Sequence, residues 1–161
     1  MDSSSIREAR VEDVPDIVEM IRAGSEEGMF HSQGFSLEEQ KKSFRKYAFE
    51  ERSEGYQVLV YQVGSTVVGY TDYRVRRGVG RILGIYVNQD YRRNGFGKQL
   101  MEKTFLEFRK KGCHKTRLEV FAHNKQAINF YRHLGFNQEG FLHKDEEKKD
   151  RIILSKFFHK I

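Results

Sequence analysis

A glycine-rich turn between an apolar segment and an amphipathic segment constrains this chain more than any other feature. Residues 82–87 form a nearly continuous apolar run, which is typical of a central strand covered on both faces. The segment Asp90-Tyr91-Arg92-Arg93-Asn94-Gly95-Phe96-Gly97 follows, and apolar residues then recur at helical spacing until Gly112. The sequence therefore predicts a strand, a sharp turn and a helix between residues 82 and 111.

The two glycines of this turn, Gly95 and Gly97, stand where the predicted helix begins. They would leave backbone N–H groups uncovered at a helix end that carries about half a positive charge. Arg92, Arg93 and Lys98 add full positive charges nearby. The pattern indicates a site for an anion such as a pyrophosphate, although the glycines could also serve only to permit a tight turn.

Two common phosphate-binding motifs do not fit this segment. A Walker A loop needs Lys-Ser or Lys-Thr after its last glycine, and here Lys98-Gln99 follows Gly97. A dinucleotide fingerprint needs a third glycine, which is missing near Leu100.

Length and composition indicate one ordinary domain over residues 1–161. The chain has no internal repeat and no linker rich in Pro, Ser or Gly, and its 32% of charged residues indicate a hydrated surface. No apolar run approaches the ~18 residues of a spanning helix, so we expect a cytoplasmic protein without a membrane partner. Cys113 is the only cysteine, which excludes an internal disulfide and a cysteine-based zinc site. The six histidines lack metal-ligand spacing, so we expect no metal.

Hydrophobic periodicity alternates between the strand and helix repeats, which predicts a mixed α/β fold. Ser36 and Glu39 have the spacing of a capping box at the start of a helix. We expect a first helix that Gly24 ends, and a solvated hairpin loop at the charged run 144–151. The predicted strands lie near residues 6–10, 56–61, 67–75, 82–87, 116–121, 136–141 and 151–158.

Two segments together resemble the GNAT superfamily of N-acetyltransferases. The turn 92–97, preceded by Ile85-Tyr86-Val87, is similar to that family's acyl-CoA signature. Leu118-Glu119-Val120-Phe121-Ala122-His123-Asn124, followed by Ala127, Tyr131 and Leu134-Gly135-Phe136, is similar to its second motif. The two segments stand in the family's order and at its distance, and the resemblance covers essentially the whole chain.

The resemblance implies a mostly antiparallel twisted sheet of six to seven strands flanked by about four helices. The sheet would splay between the strands near 82–87 and 116–121, and acetyl-CoA would bind in the gap as acyl donor. The residues implied in cofactor binding are Ile85, Tyr86 and Val87 for the pantetheine arm, Arg92, Arg93, Asn94, Gly95, Phe96, Gly97 and Lys98 for the pyrophosphate, and Asn124 for the cofactor arm.

Tyr131 and Glu119 are the predicted catalytic residues. A phenol beside the cofactor sulfur can protonate a leaving thiolate, although Tyr131 could also be only a core aromatic. An alkyl ammonium, with a pKa of about 10.4, must lose a proton before it attacks, and Glu119 is our candidate base. The twelve-residue spacing between them resembles the ribosomal-protein N-terminal acetyltransferase branch. Alternatively, Glu119 is a strand carboxylate paired with Arg117 or Arg81.

The resemblance implies direct transfer of acetyl from acetyl-CoA to a primary amine, with a protein N-terminus or a lysine as the first choice. A polyamine or aminoglycoside is an alternative, although a chain of net charge +6 is an awkward host for a polycation. A non-catalytic acyl-CoA-binding protein also stays open. A basic nucleic-acid-binding domain is disfavoured because the charges are dispersed. Subunits of this family commonly pair, but no feature of the sequence specifies a homodimer.

Overall fold

The computed structural model describes residues 2–31, 34–51 and 53–159, whose strands form one seven-stranded sheet. The order across the sheet is β1-β2-β3-β4-β5-β7-β6. The strands are β1 (Ser4–Glu8), β2 (Tyr56–Val63), β3 (Thr66–Arg76), β4 (Val79–Val87), β5 (Lys115–Phe121), β6 (Asn137–Leu142) and β7 (Arg151–Phe157). The α-helices are α1 (Val14–Glu26), α2 (Leu37–Arg45), α3 (Phe96–Lys110) and α4 (Lys125–His133).

All neighbouring strands are antiparallel except β4 and β5, which are parallel. These two strands pair only from Val79 to Arg81 against Lys115 to Arg117, and they diverge beyond that point. The predicted mixed α/β fold and its splayed sheet are therefore confirmed. The splay leaves one edge of β4 without a strand partner between Ile82 and Val87.

Side chains alternate between the two faces of each strand, so both faces of the sheet carry apolar residues. Helices pack against each face and bury them. On one face, α1 places Ile17 and Met20 against Val60 and Tyr70. On the other face, α3 and α4 cover a larger core that includes Leu100, Phe108, Leu118 and Tyr131. Cys113 is buried in that second core.

The predicted capping box is present at the start of α2. Ser36 accepts a hydrogen bond from the Glu39 backbone N–H at 3.2 Å, and the Glu39 carboxylate accepts one from the Ser36 N–H at 2.8 Å. A π-helical turn at Lys46–Glu50 continues this helix.

The predicted stop of the first helix at Gly24 is wrong, because α1 continues to Glu26. A Cβ atom on Gly24 would lie 2.4 Å from the Phe30 ring, so this position needs a glycine for packing. Most strand boundaries differ from the predictions by one to three residues. For example, β6 begins at Asn137, because the Phe136 N–H before it is bonded to the Tyr131 carbonyl of α4. Within the described residues, no helix is long and apolar enough to cross a bilayer.

Candidate active site

A cleft of about 900 Å³ opens where β4 and β5 diverge. The first turn of α3 and part of α4 line one end of it, and the loop after α1 lines the other. Strands β3, β4 and β5 contribute the side chains between the two ends. Of the eleven residues predicted to bind the cofactor, ten line this cleft, and so do Tyr131 and Glu119.

Asn94 is the predicted cofactor residue that does not line the cleft. Its side-chain amide donates to the carbonyl oxygens of Tyr91 and Arg92, at 3.1 and 3.3 Å. Asn94 therefore shapes the turn from outside, which the spacing of the motif could not distinguish from direct contact.

The start of α3 has the geometry that an anion needs. Gly95 precedes the helix in the left-handed conformation, with φ of 78°, and no side chain caps the helix. A Cβ atom on Gly97 would lie 3.5 Å from the Phe130 ring, so the turn passes close to α4. The first N–H groups of α3 thus face a cleft that Lys98 and Arg93 also line.

Arg92 is already engaged by other groups. Its guanidinium donates to both Glu27 carboxylate oxygens at 2.9 and 3.1 Å, and its Nε donates to the Val87 carbonyl oxygen at 2.9 Å. It also lies over the Tyr86 ring, 5.0 Å from the centroid. The Arg92 charge is therefore balanced within the protein, and the positive potential of this end rests on Arg93, Lys98 and the helix.

Tyr131 lies on α4, and its side chain is buried and lines the cleft. Its ring contacts Phe130 and Phe136, with centroids 5.3 and 5.7 Å apart. Burial raises the pKa of its hydroxyl above the usual value, so the group stays protonated at neutral pH. Tyr131 is thus a core aromatic whose side chain also lines the cleft.

Glu119 points its carboxylate between two guanidinium groups. Its Oε2 accepts from Arg81 at 3.1 Å and also from Arg151. The predicted alternative partner was Arg117 or Arg81, and Arg81 is the one that bonds. Arg151 begins β7, as predicted, but it is not solvated like the rest of the charged run: it is 8% exposed and pairs with Glu119 and Asp145.

The second cleft carboxylate, Asp72 on β3, was missed from the sequence. Its Oδ2 accepts a hydrogen bond from the Tyr56 hydroxyl at 2.8 Å. Burial raises the pKa of Asp72 to about 6, although the bonds it accepts from Tyr56 and from backbone amides oppose this. A charged residue amid the apolar and aromatic residues of a central strand was the available signal.

Apolar side chains line the other end of the cleft. Leu83 is 43% exposed there, so the expectation that residues 82–87 form a strand covered on both faces is wrong. The splay uncovers one face of β4 at this point. The other apolar residues are Ile21, Met29, Phe30 and Phe121.

His31 connects the loop after α1 to the loop before β7, beside this apolar end. Its Nε2 contacts Glu146, its Nδ1 lies 3.8 Å from Glu147, and its ring packs edge-on against Phe121. The described residues contain no group of side chains suited to hold a metal ion.

Comparison with known proteins agrees with this geometry. The Acetyltransferase (GNAT) family profile matches residues 22–136. The thialysine N-epsilon-acetyltransferase of Mus musculus is 34% identical over 148 residues, which are 84% of this chain and 85% of that protein. The [ribosomal protein bS18]-alanine N-acetyltransferase of Escherichia coli K12 is 35% identical over 78 residues, which are 46% and 53% of the two chains.

Solved structures share the fold at lower sequence identity. The ribosomal-protein-S18-alanine N-acetyltransferase of Escherichia coli superposes with a TM-score of 0.78 at 23% identity, over 99% of this chain and 96% of that one. An N-acetyltransferase of Thermoplasma acidophilum in complex with coenzyme A gives 0.73 at 21% identity, over 97% and 99%. The family profile covers most of the chain, and the full-length relatives are acetyltransferases. The chain therefore belongs to the Acetyltransferase (GNAT) family and is an acetyl-CoA-dependent acyltransferase.

Proposed function

We propose that this enzyme acetylates a primary amine on a slender aliphatic arm, of the kind that a lysine side chain carries. The observation that carries the proposal is the cleft itself, which joins an uncapped helix N-terminus, a buried phenol and an apolar opening. An aliphatic arm would lie against Leu83 and Phe30 while its amine reaches the centre. The mouse relative, whose name gives the ε-amine of thialysine as acceptor, supports this choice.

A protein N-terminus is the second candidate acceptor. The spacing of Glu119 and Tyr131 supports it, and so does the name of the Escherichia coli relative, which acetylates an alanine of a ribosomal protein. Free polyamines and aminoglycosides stay in the test, because two carboxylates, Asp72 and Glu119, line the cleft and would favour cationic acceptors.

The cofactor-binding residues predicted from the sequence fit an acyl-CoA. The amides at the start of α3, with Lys98 and Arg93, would hold its pyrophosphate. The open edge of β4 at Ile85 offers backbone groups to the pantetheine arm, whereas those of Tyr86 face β3 and the Val87 carbonyl is taken by Arg92. Asn124 caps α4 through its Oδ1, which accepts from the Ala127 N–H, and this leaves its amide nitrogen for the arm.

In the proposed reaction, the amine nitrogen attacks the thioester carbonyl carbon directly. The N–C bond forms, the C–S bond breaks, and Tyr131 donates its proton to the leaving sulfur. Glu119 takes a proton from the nitrogen as the bond forms and returns it to the Tyr131 oxygen. Cys113 does not line the cleft, and burial raises its thiol pKa, which supports a route without an acyl-enzyme.

The proposal needs no membrane or nucleic-acid partner. A cytoplasmic location would supply acetyl-CoA and keep Cys113 reduced.

The experiment is a CoA-thiol release assay with acetyl-CoA and one amine at a time. The panel contains thialysine, a lysine peptide with a blocked N-terminus, an alanine-initiated peptide without lysine, spermidine and an aminoglycoside. We expect amine-dependent thiol release, fastest with thialysine or the lysine peptide. Binding of acetyl-CoA without release for any amine would support a non-catalytic sensor instead. Salt-sensitive nucleic-acid binding without acetyl-CoA binding would also overturn the proposal.

A further inference from the structure

Asp72 lines the cleft at an irregularity in the pairing of β3 with β4. Its partner across the sheet is Gly84 of β4, and the pairing of the two strands shifts between Asp72 and Tyr73. Such irregularities often re-aim side chains beside active sites. A Cβ atom on Gly84 would lie 3.1 Å from Asp72 Oδ1 and 3.1 Å from the Tyr70 hydroxyl. A larger residue at position 84 would therefore fill the space next to these two oxygens.

Asp72 lacks the cationic partner that other inward-facing carboxylates have. Glu119 is paired with Arg81 and Arg151, and Asp13 with Arg7. Among the residues that the structure describes, no Lys, Arg or His forms an ion pair with Asp72. A buried charge without a counter-ion is costly, and a cation arriving in the cleft would remove that cost.

The chemistry of the acceptor supplies such a cation. An alkyl amine is mostly an ammonium at neutral pH, and it loses two N–H protons on its way to an amide. Glu119, in the proposed function, takes the proton that leaves as the N–C bond forms. The proton that must leave before attack still needs an acceptor.

We propose that Asp72 binds the acceptor as its ammonium ion and takes this first proton, an inference that rests on the proposed function. The N–H bond breaks, its electron pair stays on nitrogen, and the Asp72 carboxylate becomes a carboxylic acid. The neutral amine then attacks, and Asp72 returns its proton to water before the next turnover. Tyr131 and Glu119 keep the roles described above, so one proton is released per acetyl group transferred.

The surroundings of Asp72 suit a group that both takes and releases a proton. Burial raises its pKa to about 6, while the Tyr56 hydroxyl from β2 favours the charged form. Tyr70 of its own strand also lies close to Asp72, and its hydroxyl stays protonated because burial and Asp72 raise its pKa. Gly84 brings no charge from β4. A base that titrates near the working pH is efficient in both directions.

The first test compares two amines of similar size, ethylamine and 2,2,2-trifluoroethylamine. Fluorine lowers the basicity of the second, so it needs no deprotonation at pH 8. We expect Asp72→Asn to lower kcat/KM for ethylamine about 100-fold and to affect trifluoroethylamine less than about 5-fold. Asp16→Asn, on the exposed face of α1, is the matched control and should change neither. Equal losses of Asp72→Asn with both amines would overturn the proposal.

The second test is the pH profile of kcat/KM for thialysine. We expect an acidic limb near pH 6 in the wild type and in Glu119→Gln, and no such limb in Asp72→Asn. Tyr56→Phe keeps the carboxylate but removes its hydrogen bond, which should move the limb to higher pH. A limb unchanged in Asp72→Asn and in Tyr56→Phe would contradict a proton-accepting Asp72.

The two proposals fail in different ways. If the wild type releases no CoA with any amine, the proposed function fails and the role of Asp72 with it. If the wild type turns over but Asp72→Asn does so equally well with ethylamine, only the role of Asp72 is wrong. Binding of acetyl-CoA by Asp72→Asn, measured by calorimetry and expected within 2-fold of the wild type, shows that the variant is folded.

Discussion

Arg92 and Glu27 are hydrogen-bonded through both carboxylate oxygens, at 2.9 and 3.1 Å, although they lie 65 residues apart in the chain. The pair joins the end of α1 to the turn that precedes α3. Arg92 also holds the Val87 carbonyl at the end of β4. Arg92, which the motif predicts to bind the cofactor, therefore joins elements that line the cleft.

We expect Arg92→Ala to lower the free energy of unfolding by about 1–2 kcal/mol, because it removes several charge-assisted hydrogen bonds. Lys98→Ala should leave that free energy within about 0.5 kcal/mol, since the Lys98 side chain is largely exposed. It should instead raise the KM for acetyl-CoA by about 3–10-fold, the effect of losing one contact to a phosphate. Urea unfolding and steady-state kinetics of both variants measure this contrast. A stability loss in Lys98→Ala equal to that in Arg92→Ala would contradict the assignment.

The two ends of α3 offer a matched pair of glycines. Gly95 and Gly112 have φ of 78° and 74°, so alanine should cost about 1–2 kcal/mol of stability at either position. Gly95→Ala should also raise the KM for acetyl-CoA, because it disturbs the amides that face the cleft. Gly112→Ala has open space around it and should not. Equal KM values in the two variants would place the pyrophosphate elsewhere.

How much of this site the sequence predicts depends on whether the signal is local. The capping box at Ser36, the turn at Gly95 and the helix around Tyr131 involve residues close in the chain, and all three are found. The end of α1 was mispredicted because Gly24 is needed by Phe30, a contact that no local pattern encodes. The sequence predicts Arg151 correctly as the start of a strand but not its burial, since its partner Glu119 lies 32 residues away.

The charge of Asp72 should reduce stability above acidic pH. Its pKa in the folded protein is about 6, above the ordinary value of 3.8, so the folded state binds the proton more tightly. The stabilisation is complete below pH 4 and is lost as pH rises through 6, which corresponds to up to about 3 kcal/mol. We therefore expect Asp72→Asn to gain stability relative to the wild type between pH 5 and pH 8, measured by urea unfolding. A constant difference between the two proteins across this range would contradict the burial of an ionised Asp72.

The two arginines that hold Glu119 should differ in their effect on stability. Arg151 is 10% exposed at its side chain and has three carboxylate partners, whereas Arg81 is 44% exposed. Arg151→Met should lower the free energy of unfolding by about 1–3 kcal/mol, because it takes a cationic partner away from the half-buried carboxylates of Glu119 and Asp145. Arg81→Met should change it by about 0–1 kcal/mol. Thermal and urea unfolding of both variants measure this difference. Similar losses of stability in the two variants would contradict the larger role given to Arg151.

The most direct test of the proposed reaction is amine-dependent CoA release by the wild type and by Tyr131→Phe, with acetyl-CoA binding measured in parallel. Phenylalanine keeps the ring contacts of Tyr131 with Phe130 and Phe136 and removes only the hydroxyl. We predict a loss of about 100-fold or more in kcat with the acetyl-CoA dissociation constant within about 2-fold of the wild type. An unchanged kcat in Tyr131→Phe would contradict the assignment of Tyr131 as the proton donor to the leaving thiolate.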